Sequence, residues 1–338
     1  MGNGKIEKLV MVIKKKLHLI EDFLTKNNIS SDQLVLMKSD ASHRRYHRLY
    51  NQEVSMILMD DQEFINLERF LNVANILKEI NLSVPEIFKV DHDKGFVLLE
   101  DFGRETFNNF IQNNSKYDLL YESAIDVLKI LQDADLPSNL EVFSEKRILD
   151  EVQIFLDWTL PYYFGETKNQ KLKKDFIDSW SIIAKKIHSA SNVITHFDYH
   201  IDNLVWLNDR SSFKRVGVLD FQDALIGPAV YDLVSLLQDA RITVSEKLQN
   251  KLKKRYLQFF KGTLDEFNLI YDCVGAQRNT RILGVFARLK LRDNKLSYQK
   301  HMNRVWKNLK NNLKNPELKD LADSYKYFIP EEISKLNG

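Results

Sequence analysis

The sequence predicts an α+β fold of two lobes, in which a small β-rich N-terminal lobe precedes a larger helical C-terminal lobe. Five short runs rich in β-branched and aromatic residues lie between residues 34 and 100. After Gly103 the chain consists mainly of long amphipathic segments. At the junction, an apolar run passes directly into polar residues and a glycine, which is typical of a hinge. We therefore divide the 338 residues into an N-lobe at 1–100 and a C-lobe at 101–338, with the hinge at about 99–103.

The N-lobe begins with a predicted helix over about 5–27, because apolar residues recur there at three- and four-residue spacing. One further helix is predicted over about 64–80, before Pro85. The predicted strands, separated by polar turns, are 34–38, 45–50, 54–59, 86–91 and 96–100. Together these elements predict a five-stranded sheet interrupted by one helix.

The C-lobe is predicted to be mostly helical. Its amphipathic segments are roughly 117–133, 145–164, 169–189, 229–240, 245–260, 264–283 and 299–313. Two short apolar runs, at 204–207 and 216–219, are the exceptions and are expected to form short strands.

Composition excludes several classes of protein. The chain has only 11 glycines, and none are spaced to form G-x-G-x-x-G or G-x-x-x-x-G-K, which excludes the usual dinucleotide-binding and P-loop sites. Basic and acidic residues nearly cancel, with 49 Lys and Arg against 47 Asp and Glu. We therefore expect neither a nucleic acid nor a membrane surface as a partner.

Cysteine usage and hydropathy suggest a location. Cys273 is the one cysteine, so no internal disulfide can form, and we expect its thiol to be buried. No run approaches the roughly 20 apolar residues of a membrane span, and the N-terminus lacks the apolar core of a signal peptide. We expect a cytoplasmic protein, monomeric or weakly dimeric.

One group of closely spaced polar residues indicates the reaction type. The segment His196–Asn203 has the spacing H-x-D-x-x-x-x-N, and Asp220 follows a second apolar run 17 residues after Asn203. Phosphoryl transfer requires one carboxylate to accept the proton of the attacking hydroxyl, and oxygen ligands for Mg²⁺ on the phosphates. We predict that Asp198 is the catalytic base and that Asn203 and Asp220 are the Mg²⁺ ligands.

Neighbouring residues have alternative interpretations. His196 is expected mainly to hydrogen-bond the loop backbone. The candidates for contacting the substrate, or for supporting residues that do, are His196, His200, Asp223 and Asp157. An H-x-D-x-H metal-hydrolase cluster of His196, Asp198 and His200 is a weaker alternative, because further ligands at recognisable offsets are lacking.

Several stretches resemble the aminoglycoside phosphotransferase and choline kinase superfamily, which has a protein-kinase-like bilobal fold. The resemblance is closest to the N-acetylmuramate/N-acetylglucosamine anomeric kinases of cell-wall recycling. The matching stretches are 39–46, 95–103, 198–204, 219–228, 231–233, 277–279 and 286–288. They extend over most of the chain.

The resemblance implies ATP as co-substrate and a set of roles in binding it. The backbone around Glu100 to Phe102 would receive the adenine. The turn at Ser39 to Arg44 would close over the phosphates, with Ser39, Ser42, Arg44 and Arg45 as candidate contacts. Asp232 matches an acid that holds the catalytic loop through its backbone N–H groups.

The sequence departs from the family pattern at two places. Phe197 stands where the closest branch usually has Arg. The third predicted strand ends at Asp60 without the phosphate-binding Lys of many kinases. Arg44, Arg45 or another cation must then meet the charge of the triphosphate.

Charge in the C-lobe bears on the substrate. Between Ala276 and Pro316 basic residues far outnumber acids, which disfavours a cationic aminoglycoside or choline and would tolerate an acidic sugar. The segment 151–165, with Asp157 and several aromatic residues, follows the place where the family's sugar-binding helices begin. We therefore predict a kinase for the anomeric hydroxyl of N-acetylmuramate or N-acetylglucosamine in peptidoglycan recycling. The alternatives are a kinase of another hydroxyl, whether choline-like, homoserine-like or an aminoglycoside, and a nucleotide-binding pseudokinase.

Overall fold

The computed structural model describes residues 3–30, 33–37, 44–51, 54–61, 64–114, 117–165, 169–190 and 192–329. The chain forms two compact units. The N-terminal unit consists of Met1–Arg104 with Gly217–Gln222, and the helical unit consists of Glu105–Val216 with Asp223–Gly338.

The N-terminal unit contains an antiparallel five-stranded sheet, as predicted. Its strands are β1 (Gln33–Leu36), β2 (Arg45–Asn51), β3 (Val54–Asp60), β4 (Ile87–Asp91) and β5 (Phe96–Glu100), in the order β1-β2-β3-β5-β4. Its helices are α1 (Asn3–Lys26) and α2 (Phe64–Glu79). Observed and predicted bounds differ by no more than two residues, because strong alternation and polar turns mark these elements in the sequence.

Helix α1 covers one face of this sheet. Ile20, Phe23 and Leu24 form a buried cluster with residues from three strands, which are Leu49, Leu58, Phe96 and Leu98. Because side chains alternate along a strand, Arg44, Tyr46 and Arg48 lie on the opposite face from Leu49. The face of β2 that carries Leu49 therefore contributes to the core, and the opposite face carries polar side chains.

The segment Gly217–Gln222 packs with the N-terminal unit, although it follows it by more than one hundred residues in the chain. Val218 N donates to Ser83 O at 2.8 Å, and Ser83 and Gly217 form a parallel bridge. The buried ring of Phe221 stacks on Phe70 of α2, with 5.0 Å between ring centroids. These contacts fix the backbone on both sides of Asp220.

The helical unit is built from ten described helices and short strands. The helices are α3 (Phe107–Asn113), α4 (Asp118–Asp133), α5 (Glu145–Ile154), α6 (Leu160–Phe164), α7 (Gln170–His188), α8 (Tyr231–Leu237), α9 (Glu246–Leu257), α10 (Leu264–Leu291), α11 (Met302–Asn312) and α12 (Lys319–Tyr325). The strands are β6 (Asn192–Thr195), β7 (Leu204–Trp206) and β9 (Leu225–Pro228), and β8 (Val216–Val218) crosses the boundary between the units.

Some predicted elements were incomplete. The single helix predicted over 145–164 is interrupted by a π-helical turn at Phe155–Thr159, and the helix predicted over 264–283 continues to Leu291. α3, α12, β6 and β9 were not predicted; each is seven residues or shorter.

Helix α10 passes very close to the start of the π-helical turn. A Cβ atom at Gly284 would lie 2.6 Å from the carbonyl carbon of Ile154, so glycine is required for this approach. A capping box of Thr263 and Glu266 fixes the start of α10.

None of the described helices combines the length and hydropathy that crossing a bilayer requires.

Candidate active site

The segment His196–Asn203 connects β6 to β7 in the helical unit. It carries the predicted catalytic residues and, for that reason alone, is called the catalytic loop below. Strand β6 pairs with β9, and Thr195 Oγ1 donates to Leu225 O at 2.9 Å. The next-but-one residue, Phe197, has a φ of 73°, which is uncommon for a residue with a side chain. The loop therefore starts from a fixed strand end with a strained turn that the surrounding structure must hold.

Asp232 of α8 holds the first half of the catalytic loop. Its Oδ2 accepts a hydrogen bond from His196 N at 2.6 Å, and its Oδ1 accepts one from Phe197 N at 3.0 Å. Burial raises the pKa of Asp232 to about 7, although these two donors and the charge of Arg278 act in the opposite direction. The expected support of the loop by Asp232 is confirmed.

Asp239, which lies after α8 and is fully buried, holds the second half. Its Oδ2 accepts from Ile201 N at 3.3 Å, and its Oδ1 accepts from Arg241 N at 2.8 Å. Arg241 Nε is in turn 2.6 Å from Asp202 Oδ2. Neither Asp239 nor Arg241 was predicted from the sequence, because neither residue belongs to a motif whose spacing indicates support of the loop.

Two rings inside the loop point into the protein. His196 Nδ1 accepts from Asp198 N at 3.3 Å, so this histidine hydrogen-bonds the loop backbone as predicted. Its ring packs edge-on against Tyr199, whose hydroxyl donates to Ala124 O of α4 at 3.0 Å. Both rings are buried, and they anchor the loop to the helical unit.

The loop brings Asp198, His200 and Asn203 together, with His200 buried and the other two half-buried. The Asp198 side chain is 42% exposed, and its Oδ2 lies 3.2 Å from His200 Nε2 and 3.3 Å from Asn203 Nδ2. Asn203 Nδ2 also donates to Asp198 O at 3.0 Å. These contacts use the amide nitrogen of Asn203 and leave Oδ1 as its atom for a cation.

The charges around Asp198 keep it ionised. Burial acts to raise its pKa, but the charges of His200, Arg278 and Arg241 outweigh burial and lower the pKa below its usual value. An ionised carboxylate with an accessible oxygen can orient a hydroxyl group and accept its proton.

Asp220 lies in the part of the N-terminal unit that follows β8. It has a φ of 56° and is exposed, and its Oδ1 accepts from Gln222 Nε2 at 2.8 Å. Its negative charge contributes to the raised pKa of Tyr46, which burial brings to about 12. Asp223, the neighbouring candidate, belongs to the helical unit and is exposed.

The predicted phosphate-binding turn is only partly described. Ser39 and Ser42 lie outside the described residues. Arg44 is buried, with its Nε 2.6 Å from Asp61 Oδ2 and its Nη2 donating to Asn66 O at 2.9 Å. Its guanidinium also hydrogen-bonds the Tyr46 side chain. Arg45, by contrast, is exposed, and its backbone lies opposite that of Asp60 in the antiparallel pairing of β2 with β3.

Arg48 holds the segment after β5, where the adenine is predicted to bind. Its Nε lies 2.6 Å from Asp101 Oδ2, and its Nη2 donates at 2.9 Å both to Asp101 Oδ1 and to Gly103 O. Gly103 has a φ of 82°, a conformation that favours glycine. Glu100 N donates to Glu86 O at 2.8 Å, and Phe102 is half-buried.

Strand β3 ends at Asp60, where a phosphate-binding lysine was missing from the sequence. The carboxylate is buried, and Lys16 Nζ of α1 lies 2.7 Å from Asp60 Oδ1. A lysine is therefore present at the end of this strand, but it comes from another element and is paired.

The donor atoms suit a hard divalent cation. Asn203 Oδ1 and the Asp220 carboxylate are oxygen donors of the kind Mg²⁺ takes, and Mg²⁺ usually fills its other positions with water and phosphate oxygens. Within the described ranges, no three His, Cys, Asp or Glu side chains are grouped to hold a metal. This finding contradicts the alternative H-x-D-x-H cluster, and the Nδ1 atom of His196 is already used by the backbone.

Asp157 stands apart from these groups. It lies in the π-helical turn and is exposed, and its Oδ1 accepts from Gln153 Nε2 at 2.8 Å. No described contact connects it with the catalytic loop.

The chain also matches a known protein family. The profile of the phosphotransferase enzyme family matches residues 34–268, which include the catalytic loop and Asp220. The chain belongs to this family. It is a small-molecule phosphotransferase, as the sequence predicted.

Two curated relatives are named N-acetylmuramate/N-acetylglucosamine kinase. The Pseudomonas aeruginosa protein is 31% identical over 308 residues, which cover 86% of this chain and 87% of the relative. The Caulobacter vibrioides protein is 29% identical, with 93% of this chain and 96% of the relative covered.

Solved structures confirm the predicted kinase-like fold. A choline kinase from Streptococcus pneumoniae has a TM-score of 0.63 at 10% identity, covering 87% of this chain and 99% of its own. An ADP-bound aminoglycoside phosphotransferase has a TM-score of 0.57 at 15% identity, covering 86% of this chain and 96% of its own.

Proposed function

We propose that this phosphotransferase transfers the γ-phosphoryl group of ATP to the anomeric hydroxyl of N-acetylmuramate or N-acetylglucosamine, in the recycling of peptidoglycan sugars. The observation that carries the proposal is the ionised, accessible Asp198 on a loop held by two buried carboxylates. The names of the relatives that match most of the chain supply the substrate class.

In the proposed reaction, the Asp198 carboxylate orients the sugar hydroxyl and accepts its proton through Oδ1, because Oδ2 is already in contact with His200 and Asn203. The hydroxyl oxygen forms a bond to the γ-phosphorus, the bond from that phosphorus to the β–γ bridging oxygen breaks, and ADP leaves. An anomeric hydroxyl is more acidic than an ordinary alcohol, so the base removes little proton density before attack. Most of the rate enhancement then comes from positioning and charge stabilisation.

Asn203 and Asp220 are the residues that would hold Mg²⁺. When bound, the ion neutralises charge on the phosphate oxygens. The contacts of Asn203 Nδ2 with Asp198 support its part, because they orient the amide with Oδ1 as the ligating atom.

Among the candidate cations for the phosphates, Arg44 is favoured over Arg45. Arg44 shares a face of β2 with Tyr46, whose pKa responds to the charge of Asp220. Arg45 lies on the other face, which α1 covers. Exchange of the Asp61 carboxylate for phosphate would make the Arg44 guanidinium available, so Arg44→Met should weaken ATP binding more than Arg45→Met.

ATP turnover across a panel of acceptors tests the proposal. The panel contains N-acetylmuramate, N-acetylglucosamine, choline and kanamycin, and ³¹P and ¹³C NMR assign the phosphorylated position of each product. We expect a sugar 1-phosphate. Turnover with choline or kanamycin alone would refute the proposal in favour of another acceptor, and no turnover with any acceptor would favour a pseudokinase.

A further inference from the structure

Arg278 of α10 is a buried cation that the proposed reaction does not use. The residue is only 3% exposed, and its Nε and Nη1 atoms are buried without a hydrogen-bond partner among the residues that the structure describes. Burying a guanidinium with unfilled donors is costly, because the group loses water and gains nothing in exchange. Such a group is stabilised when an anion binds to it.

Arg278 lies on the side of α10 that faces the catalytic loop. Arg281, one turn further along the same helix, has its guanidinium 5.3 Å from the ring centroid of Phe197 in that loop. The charge of Arg278 itself lowers the pKa of Asp198 and opposes the raised pKa of Asp232. This cation is therefore near the carboxylate that would receive the acceptor hydroxyl.

Neighbouring arginines differ from Arg278 because carboxylate oxygens lie close to their guanidinium nitrogens. Arg281 Nε lies 3.6 Å from Glu151 Oε2, and Arg241 Nε lies 2.6 Å from Asp202 Oδ2. Even Gln277, the residue before Arg278, donates to Glu151 Oε2 at 2.9 Å. Arg278 Nε and Nη1 have no such contact among the described residues, which leaves these donors for a ligand.

We propose that Arg278 binds the lactyl carboxylate of N-acetylmuramate and makes the enzyme favour the acidic amino sugar over the neutral one. The inference rests on the proposed function, because it assumes that Asp198 receives a sugar hydroxyl. N-acetylmuramate and N-acetylglucosamine differ by this lactyl group, so a buried cation that only one of them fills is a means of discrimination. Charge-assisted hydrogen bonds to the carboxylate would supply the affinity.

Paired kinetics with the two sugars test the inference. Arg278→Met should lower kcat/KM for N-acetylmuramate by roughly 10- to 100-fold and change that for N-acetylglucosamine by less than about threefold. Arg278→Lys should recover part of the loss, because it keeps the charge without the planar donors. Arg292→Met, at an exposed arginine just after α10, is the matched control and should leave both substrates unchanged.

A chemical variant of the substrate gives a second measurement that does not depend on the mutant folding. The kcat/KM of the wild-type enzyme should fall by a similar factor when the carboxylate of N-acetylmuramate is replaced by the carboxamide. The kcat/KM of the Arg278→Lys enzyme should fall by less. The inference would be overturned if wild-type enzyme phosphorylated the carboxamide with the same kcat/KM as N-acetylmuramate. Equal losses with both sugars in Arg278→Met would also overturn it, and would assign Arg278 to the transferred phosphoryl group, the other anion at this site.

The two proposals fail differently. If wild-type enzyme phosphorylates neither sugar, the proposed function is wrong. If it phosphorylates both and Arg278→Met preserves their ratio of kcat/KM, only the role of Arg278 is wrong.

Discussion

The catalytic loop of the helical unit and the segment after β5 of the N-terminal unit are held by opposite means. In the loop, the carboxylates of Asp232 and Asp239 accept hydrogen bonds from backbone N–H groups. In the segment after β5, the guanidinium of Arg48 donates to a carboxylate and to a backbone carbonyl. Buried carboxyl groups thus organise the loop that carries the predicted catalytic base, while a cation organises the backbone that is predicted to bind adenine.

The two units also differ in whether these cations already have a carboxylate partner. Lys16, Arg44 and Arg48 of the N-terminal unit each pair with an aspartate. Arg278 in the helical unit has unfilled donors among the described residues. Anion binding at Lys16, Arg44 or Arg48 would therefore have to displace an aspartate, whereas at Arg278 it need not.

The largest effect is expected at the reacting carboxylate. Asp198→Asn should lower kcat by roughly 10²- to 10⁴-fold, because the amide cannot accept the proton. The free energy of unfolding should change little, since half-exposed Asp198 gives the loop no backbone support of the kind that Asp232 gives. Turnover and thermal unfolding are measured on the same preparation, and an unchanged kcat would disprove the assignment of the base.

Removing support of the loop should have the next largest effect, on both rate and stability. In Asp232→Asn one of the two oxygen acceptors becomes an N–H₂ donor that faces a backbone N–H. We expect the free energy of unfolding to fall by about 1–3 kcal/mol and kcat to fall with it. Asp209→Asn, at an exposed residue after β7, is the control. A loss of stability without any loss of kcat would show that the loop geometry does not depend on Asp232.

The corresponding change in the N-terminal unit should act on nucleotide binding. Arg48→Met removes the contacts that hold Asp101 and Gly103, so KM for ATP should rise by about 10-fold while kcat changes little. Arg48→Lys should rescue only part of the effect, because an ammonium group lacks the planar arrangement of donors. A fall in kcat at unchanged KM would instead place Arg48 in the support of the reaction itself.

The smallest effect is a pH dependence of stability that separates the two regions. Burial raises the pKa of Asp232 in the folded state to about 7, above its value of about 3.9 in the unfolded chain. The stabilisation from this group is complete below the unfolded pKa and is lost as the pH rises through about 7. The decline in the free energy of unfolding between about pH 4 and 7 should therefore be shallower in Asp232→Asn than in the wild type, as measured by urea titration. Arg48→Met, which does not contact Asp232, should keep the wild-type slope.

Much of the fold could be predicted because local patterns are strong. Alternation and turns defined the five strands of the N-terminal unit, and helical spacing defined most helices of the other. The spacing around Asp198 also predicted which polar residues share a loop, and Asp198, His200 and Asn203 are in contact as a result. Short elements were predicted unevenly: β7 and β8 were found from their apolar runs, whereas α3 and β9 were missed.

The sequence by itself determined the order of most elements, the grouping of Asp198, His200 and Asn203 on one loop, and the family, because these depend on residue types at fixed short spacings. Only the tertiary structure decided which distant groups hold the loop, that Gly217–Gln222 packs with residues more than one hundred positions earlier, and that α10 approaches Ile154 closely enough to require Gly284. It also decided that Arg278, one of many basic residues in its segment, is buried with unfilled donors while Arg292 is exposed. Burial and pairing are properties of the folded environment, and an amino-acid pattern does not contain them until distant parts of the chain are packed together.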